Sequence, residues 1–201
     1  MTAFIALGTH SGVAAGPAAP ASATPDKAII TERGFTEVTL DANLIPTLGS
    51  LGVTLTPLAA STLFNDTAGI AYFPIVGGLF DPATTTAEIA HSGGLVLSGD
   101  GIQLVVSSFV ISLPASGSPV LTGLATLNGA LVGRIPLFDI DLTGVSISYK
   151  AMKLSVDGAS LTLNADAAAT LNSIFGTTAF AGGLPIGGAE VGSYYDKLPR
   201  K

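Results

Sequence analysis

In this 201-residue chain, eight Lys and Arg stand against fourteen Asp and Glu, and only 11% of positions are charged; mean hydropathy is +0.61. Between Gly34 and Gly133 there is no Lys or Arg against six acids (Glu37, Asp41, Asp66, Asp81, Glu88, Asp100), a surface that repels phosphate and argues against a nucleic-acid partner. The absence of cysteine removes disulfides, thiolate catalysis and Cys-based metal sites, and Gly, Pro or Asp interrupts every apolar run short of the roughly 18 residues of a transmembrane helix.

Residues 1–33 read as a leader or low-complexity linker. A brief apolar run, Ala3 to Leu7, precedes a Gly/Ala/Pro-rich stretch ending in Ala21-Ser22-Ala23, the small-residue pattern of an export cleavage site, although a basic n-region is missing. The expected placement is secreted or cell surface; the alternative is a cytosolic tail. If retained, the apolar tip could pair with a sheet edge of another subunit, so the expected partners are other envelope proteins or a second copy.

Residues 34–193 read as one domain and 194–201 as a polar tail. Val38-Thr39-Leu40-Asp41-Ala42, followed by Thr47-Leu48 and Gly52, returns as Leu161-Thr162-Leu163-Asn164-Ala165, followed by Thr170-Leu171 and Gly176. In each, an alternating run stops at Asp or Asn, whose side chain can cap a first helical turn, and a Gly ends the helix. The repeat predicts two strand-to-helix corners that close opposite ends of one body, with Leu48 and Leu171 equivalent and buried.

Between the corners, strands are expected over Val53–Leu58, Gly69–Ile75, Thr85–Ala90, Leu95–Leu97, Ile102–Leu113, Val120–Leu127, Ala130–Leu142, Val145–Lys150 and Lys153–Val156. Turns are expected at Gly77-Gly78, Gly93-Gly94, Asp100-Gly101, Pro114 to Pro119, Asn128-Gly129 and Asp157-Gly158. Ser107-Ser108 and Pro136 mark bulges. Short antiparallel strands without a βαβ rhythm predict a mainly β protein, a β-sandwich or partly open barrel with two short helices.

Chemistry-bearing residues are few. His91, between a strand and a glycine turn, reads as a ligand, as a base or as a turn residue bonding its own backbone; Ser92 beside it lies in no nucleophile elbow. Asp139 and Asp141 share a strand face about 7 Å apart, a separation glycosidases use, but on the expected solvent face. Asp100 and Asp157 lack the spacing of a calcium loop, and the glycine run from Gly182 to Gly188 precedes no helix pattern, so it is no nucleotide loop.

One order of motifs stands out: Tyr72-Phe73-Pro74-Ile75-Val76-Gly77-Gly78, Asp81-Pro82-Ala83-Thr84, His91-Ser92-Gly93-Gly94-Leu95, a long strand, Leu161-Thr162-Leu163 into an Ala-rich helix, Phe175, and Ala181-Gly182-Gly183. Over residues 35 to 192 this order resembles the HtaA-like domain, an envelope or secreted module of Gram-positive bacteria. Several such modules take part in haem uptake. The resemblance implies a tyrosine haem ligand assisted by histidine, for which the motif order offers Tyr72 and His91. The Trp-containing opening motif of haem-binding members is missing, as are basic residues in the first half of the body. Phe73, Phe80 and Phe109 are candidates either to line a haem pocket or to fill the core. The leading expectation is therefore a non-catalytic binding or surface-structure module without a cofactor. The alternatives are a haem or small apolar ligand carrier and, with no constellation behind it, a hydrolase.

Overall fold

A computed structural model describes residues 28–58, 62–65 and 68–196. Its strands are β1 (Ile29–Leu40), β2 (Thr54–Pro57), β3 (Leu63–Asn65), β4 (Ile70–Asp81), β5 (Thr86–His91), β6 (Gly94–Gly99), β7 (Ile102–Leu113), β8 (Val120–Leu127), β9 (Ala130–Asp141), β10 (Ser146–Lys150), β11 (Lys153–Leu163) and β12 (Pro185–Asp196); its helices are α1 (Leu44–Ser50) and α2 (Ala165–Phe175). β1 begins at Ile29 and β12 runs to Asp196, so the folded body extends beyond the expected 34–193 at both ends. Residues 1–27, the rest of the expected leader or linker, lie outside the described residues.

Of the two β architectures expected, the barrel forms. Eight antiparallel strands run in the order β7-β5-β4-β1-β12-β11-β9-β8, and β8 pairs back onto β7 to close the ring. β6 continues along β7 where β5 stops and carries β2 at its side, while β3 and β10 are short additions to β4 and β11. Closure leaves the ring itself without an edge.

Both corners form, but at the same end of the barrel and not at opposite ends, since α1 and α2 line one cavity there. Asn164 takes an extended backbone, its Oδ1 accepts the Asp166 N–H at 3.0 Å, and Gly176 closes α2 in the left-handed region. In the first corner Asn43 is the residue that precedes α1, and Asp41 Oδ1 accepts its N–H at 2.8 Å, one position before the helix. The repeat is thus one of architecture with different capping. Leu48 is buried, whereas Leu171 is half-buried against the same core.

Alternation supplies the core. Ala71, Phe73 and Ile75 point inward from β4, and Phe73 meets Phe109 edge-on, the rings 5.0 Å apart at 86°. Each such fully buried side chain contributes about 1.5–3 kcal/mol. Two apolar cavities remain, about 110 Å³ at the helix-capped end and about 160 Å³ at the other.

Both expected bulges are present. The β7–β8 register shifts between Ser107 and Val110, with Ser108 at φ 50°, and the β8–β9 register shifts beside Pro136. Two expected turns are corrected. Gly77-Gly78 lies inside β4, where a Cβ on Gly78 would collide with the Glu88 carbonyl of β5, so glycine there serves close backbone approach. Asp157-Gly158 lies inside β11, as a bulge between Val156 and Ala159 against β12.

Candidate functional site

An open groove of about 660 Å³ lies on the outer face of β4, β1, β12 and β11. Strand register arranges its floor in rows. At one end Tyr72, Glu37 and Glu190 stand side by side, with Asp157 on the β11 bulge next to them. The middle row holds Pro74, Phe35, Gly192 and Ser155. At the other end Arg33, Tyr194 and Lys153 are direct cross-strand neighbours. Glu37 and Arg33 are four residues apart on β1, so the two end rows are roughly 13 Å apart.

The rows differ in charge. Tyr72 stands directly opposite Glu37 across the β4–β1 pair, and partial burial, followed by the neighbouring Glu37 carboxylate, raises its phenol above the ordinary value. At the other end the Arg33 guanidinium lies 5.6 Å from the centre of the Tyr194 ring. The Lys153 side chain arches over Gly192: its Nζ lies 3.6 Å from where a Cβ there would stand. Phe35 and Tyr194 are each 48% exposed, unusually open for aromatic side chains in a sheet.

His91 lies on the other side of the sheet. It is 3% exposed, and its Nε2 shares a 2.7 Å hydrogen bond with Thr36 Oγ1, the donor being set by the tautomer. Nδ1 has no hydrogen-bond partner. Burial lowers its pKa from 6.5 to about 4, opposed by the backbone of Phe109 and Ile89, which closes no bond on Nδ1. Thr36 pairs across to Phe73, and both point inward, while their chain neighbours Glu37 and Tyr72 pair and point outward. The expected Tyr72 and His91 pair is therefore not brought together: a layer of sheet separates them because β4 and β1 alternate faces. Phe73, Phe80 and Phe109 are core residues, not groove walls.

The acid pair is taken up by the scaffold. Asp139 accepts from Asn164 Nδ2 at 2.8 Å, anchoring the α2 cap, and Asp141 accepts from the Thr143 N–H at 2.8 Å. No group of three metal-ligating side chains occurs among the described residues. Sequence reading missed Glu37, Glu190, Lys153, Arg33 and Tyr194 as groove residues. For Arg33, Glu37, Glu190 and Tyr194 the signal was period-two spacing on β1 and β12, the latter obscured by Gly187, Gly188 and Gly192; Lys153 opens β11.

The chain folds as an antiparallel closed barrel with two short helices, and the resemblance carried by the motif order holds at the level of fold. The C-terminal domain of HtaA from Corynebacterium glutamicum superposes with a TM-score of 0.63 at 14% identity, over 84% of this chain and 99% of that one. A domain-swapped dimer of a histidine-to-alanine variant of the same domain gives 0.53 at 16%, over 75% and 88%. The haem-binding protein HtaB from the same organism gives 0.51 at 11%, over 85% and 96%. No family profile and no curated protein sequence matches the chain.

Proposed function

We propose that this chain is a non-catalytic carrier of haem, held on the outer groove with Tyr72 as the iron-facing residue. The observation that carries the reading is the groove itself, a broad, open floor with a phenol in a row of carboxylates on a fold shared with a haem-binding protein. The residues present suit such a ligand. A flat ring system can lie on the exposed Phe35, and the acidic row places negative charge beneath a cationic metal centre. Bound haem would supply an electrophilic iron for the phenol oxygen. Tyr72 stands directly opposite Glu37 on the neighbouring strand, which sets that carboxylate beside the phenol. His91 acts within this reading as a core residue beneath the site, tied to it through Thr36, the neighbour of Glu37.

A haem titration tests this. Wild-type protein should shift the Soret band saturably at one equivalent, and Tyr72→Phe should alter both the spectrum and the affinity by at least tenfold. No shift in the wild type, or one unchanged in Tyr72→Phe, refutes the reading. Secretion belongs to the same proposal, supported by the small-residue pattern at Ala21-Ser22-Ala23, and the N-terminal residue of the mature protein checks it.

Self-association is a second reading, favoured by β2 ending the sheet order and by the exchange of elements in the HtaA-domain dimer. The mass in solution with and without residues 1–27 decides it: two monomers at high concentration refute it.

A further inference from the structure

The groove is polar end to end, and this property goes beyond the identity of the ligand. Its acidic row (Glu37, Glu190, Asp157) and its basic row (Arg33, Lys153) lie on the same face, with a neutral middle row between them. Neither cation is spent on an ion pair within its row: Arg33 is laid on the Tyr194 ring, and Lys153 crosses Gly192, the one position in the middle row where the missing side chain lets it lie flat. Both side chains are exposed, so their ammonium and guanidinium groups are open to a ligand. Tyr194 sits between them as direct cross-strand neighbour of each.

We infer that Arg33, Tyr194 and Lys153 form a carboxylate clamp that fixes the direction in which the ligand lies, its anionic edge over this row and its cationic centre over the Tyr72 row. This rests on the proposed ligand reading and adds a specificity to it. Ring stacking orients the Arg33 fork, and a guanidinium and an ammonium placed on either side of one ring offer two separate donors to two carboxylates. Reversed binding would set carboxylates against Glu37, Glu190 and Asp157, a like-charge arrangement that discriminates by repulsion as well as attraction.

The experiment compares ferric haem with its dimethyl ester, in which both carboxylates are masked, by quenching of tyrosine fluorescence in a chain without tryptophan. Wild-type protein should bind the free acid about tenfold tighter than the ester, with the preference shrinking as salt rises. Arg33→Ala with Lys153→Ala should bring the two affinities together by weakening only the free acid. Tyr72→Phe should weaken both and leave their ratio intact. Equal affinities in the wild type, or a preference that survives in the double variant, overturn the clamp while leaving the carrier reading in place. Failure of both forms to bind wild-type protein removes the carrier reading and the clamp with it. Because both side chains are exposed, unchanged melting of the double variant confirms that the fold is intact.

Discussion

The two faces of the β1–β4 sheet have the same backbone and opposite chemistry. Inward, Thr36, Val38, Ala71 and Phe73 are buried, and the one buried titratable group among the described residues is His91 of the adjoining β5, which cannot charge cheaply. Outward, at the very next residues, Glu37 and Tyr72 meet water and each other. The difference teaches that in a closed barrel one residue of register separates stability from recognition.

The largest effect should come from neighbouring residues of β11 that face opposite ways. Leu154 is fully buried beside Ile29 and Phe80, while Lys153 lies in the groove. Leu154→Ala should cost about 2–5 kcal/mol in urea unfolding, whereas Lys153→Ala should stay within about 0.5 kcal/mol. Similar costs at both would break the two-face description.

Next comes the dependence on pH. The unfolded chain protonates His91 near 6.5 and the folded chain only near 4. Its contribution is therefore complete above 6.5 and is lost as pH falls toward 4, on the order of 3 kcal/mol in all. Asp81 and Asp141, held below the ordinary value mainly by hydrogen bonds from Thr84 and Thr143 respectively, lose theirs below this window. Urea midpoints at pH 7.5 and 4.5 should differ more in the wild type than in His91→Gln. Equal differences would place the imidazole in water.

The corners sharpen the comparison further. Asn164→Ala removes the cap on Asp166 and the bond to Asp139, and should cost about 1–2 kcal/mol. Asp41→Ala removes a single turn bond ahead of a seven-residue helix and should cost less, about 0.5–1 kcal/mol. The smallest effect belongs to Tyr72→Phe, which should leave the unfolding midpoint unchanged within about 0.5 kcal/mol while changing ligand binding.

Much of the fold was legible because its signals are local. The strands Ile102–Leu113 and Val120–Leu127 coincide with their expected spans, and both bulges announced themselves through Ser108 and Pro136. Gly77-Gly78 and Asp157-Gly158 misled because glycine permits a turn and a close backbone approach alike, and only the neighbouring strand distinguishes them. β12 was hidden by its glycines, and with it went Glu190, Gly192 and Tyr194 of the groove.

By itself, the chain's alternation of apolar and polar residues determined that it is an antiparallel β protein with two helical corners, since side-chain period and capping are properties of neighbours in sequence. Only the tertiary structure decided that the strands close into a ring, that Tyr72 and His91 face opposite ways, and that Arg33 meets residues more than a hundred positions distant. Ring closure and strand register are set by which chain lies beside which. That choice is made by burying one whole face at once, and no local stretch of residues records it.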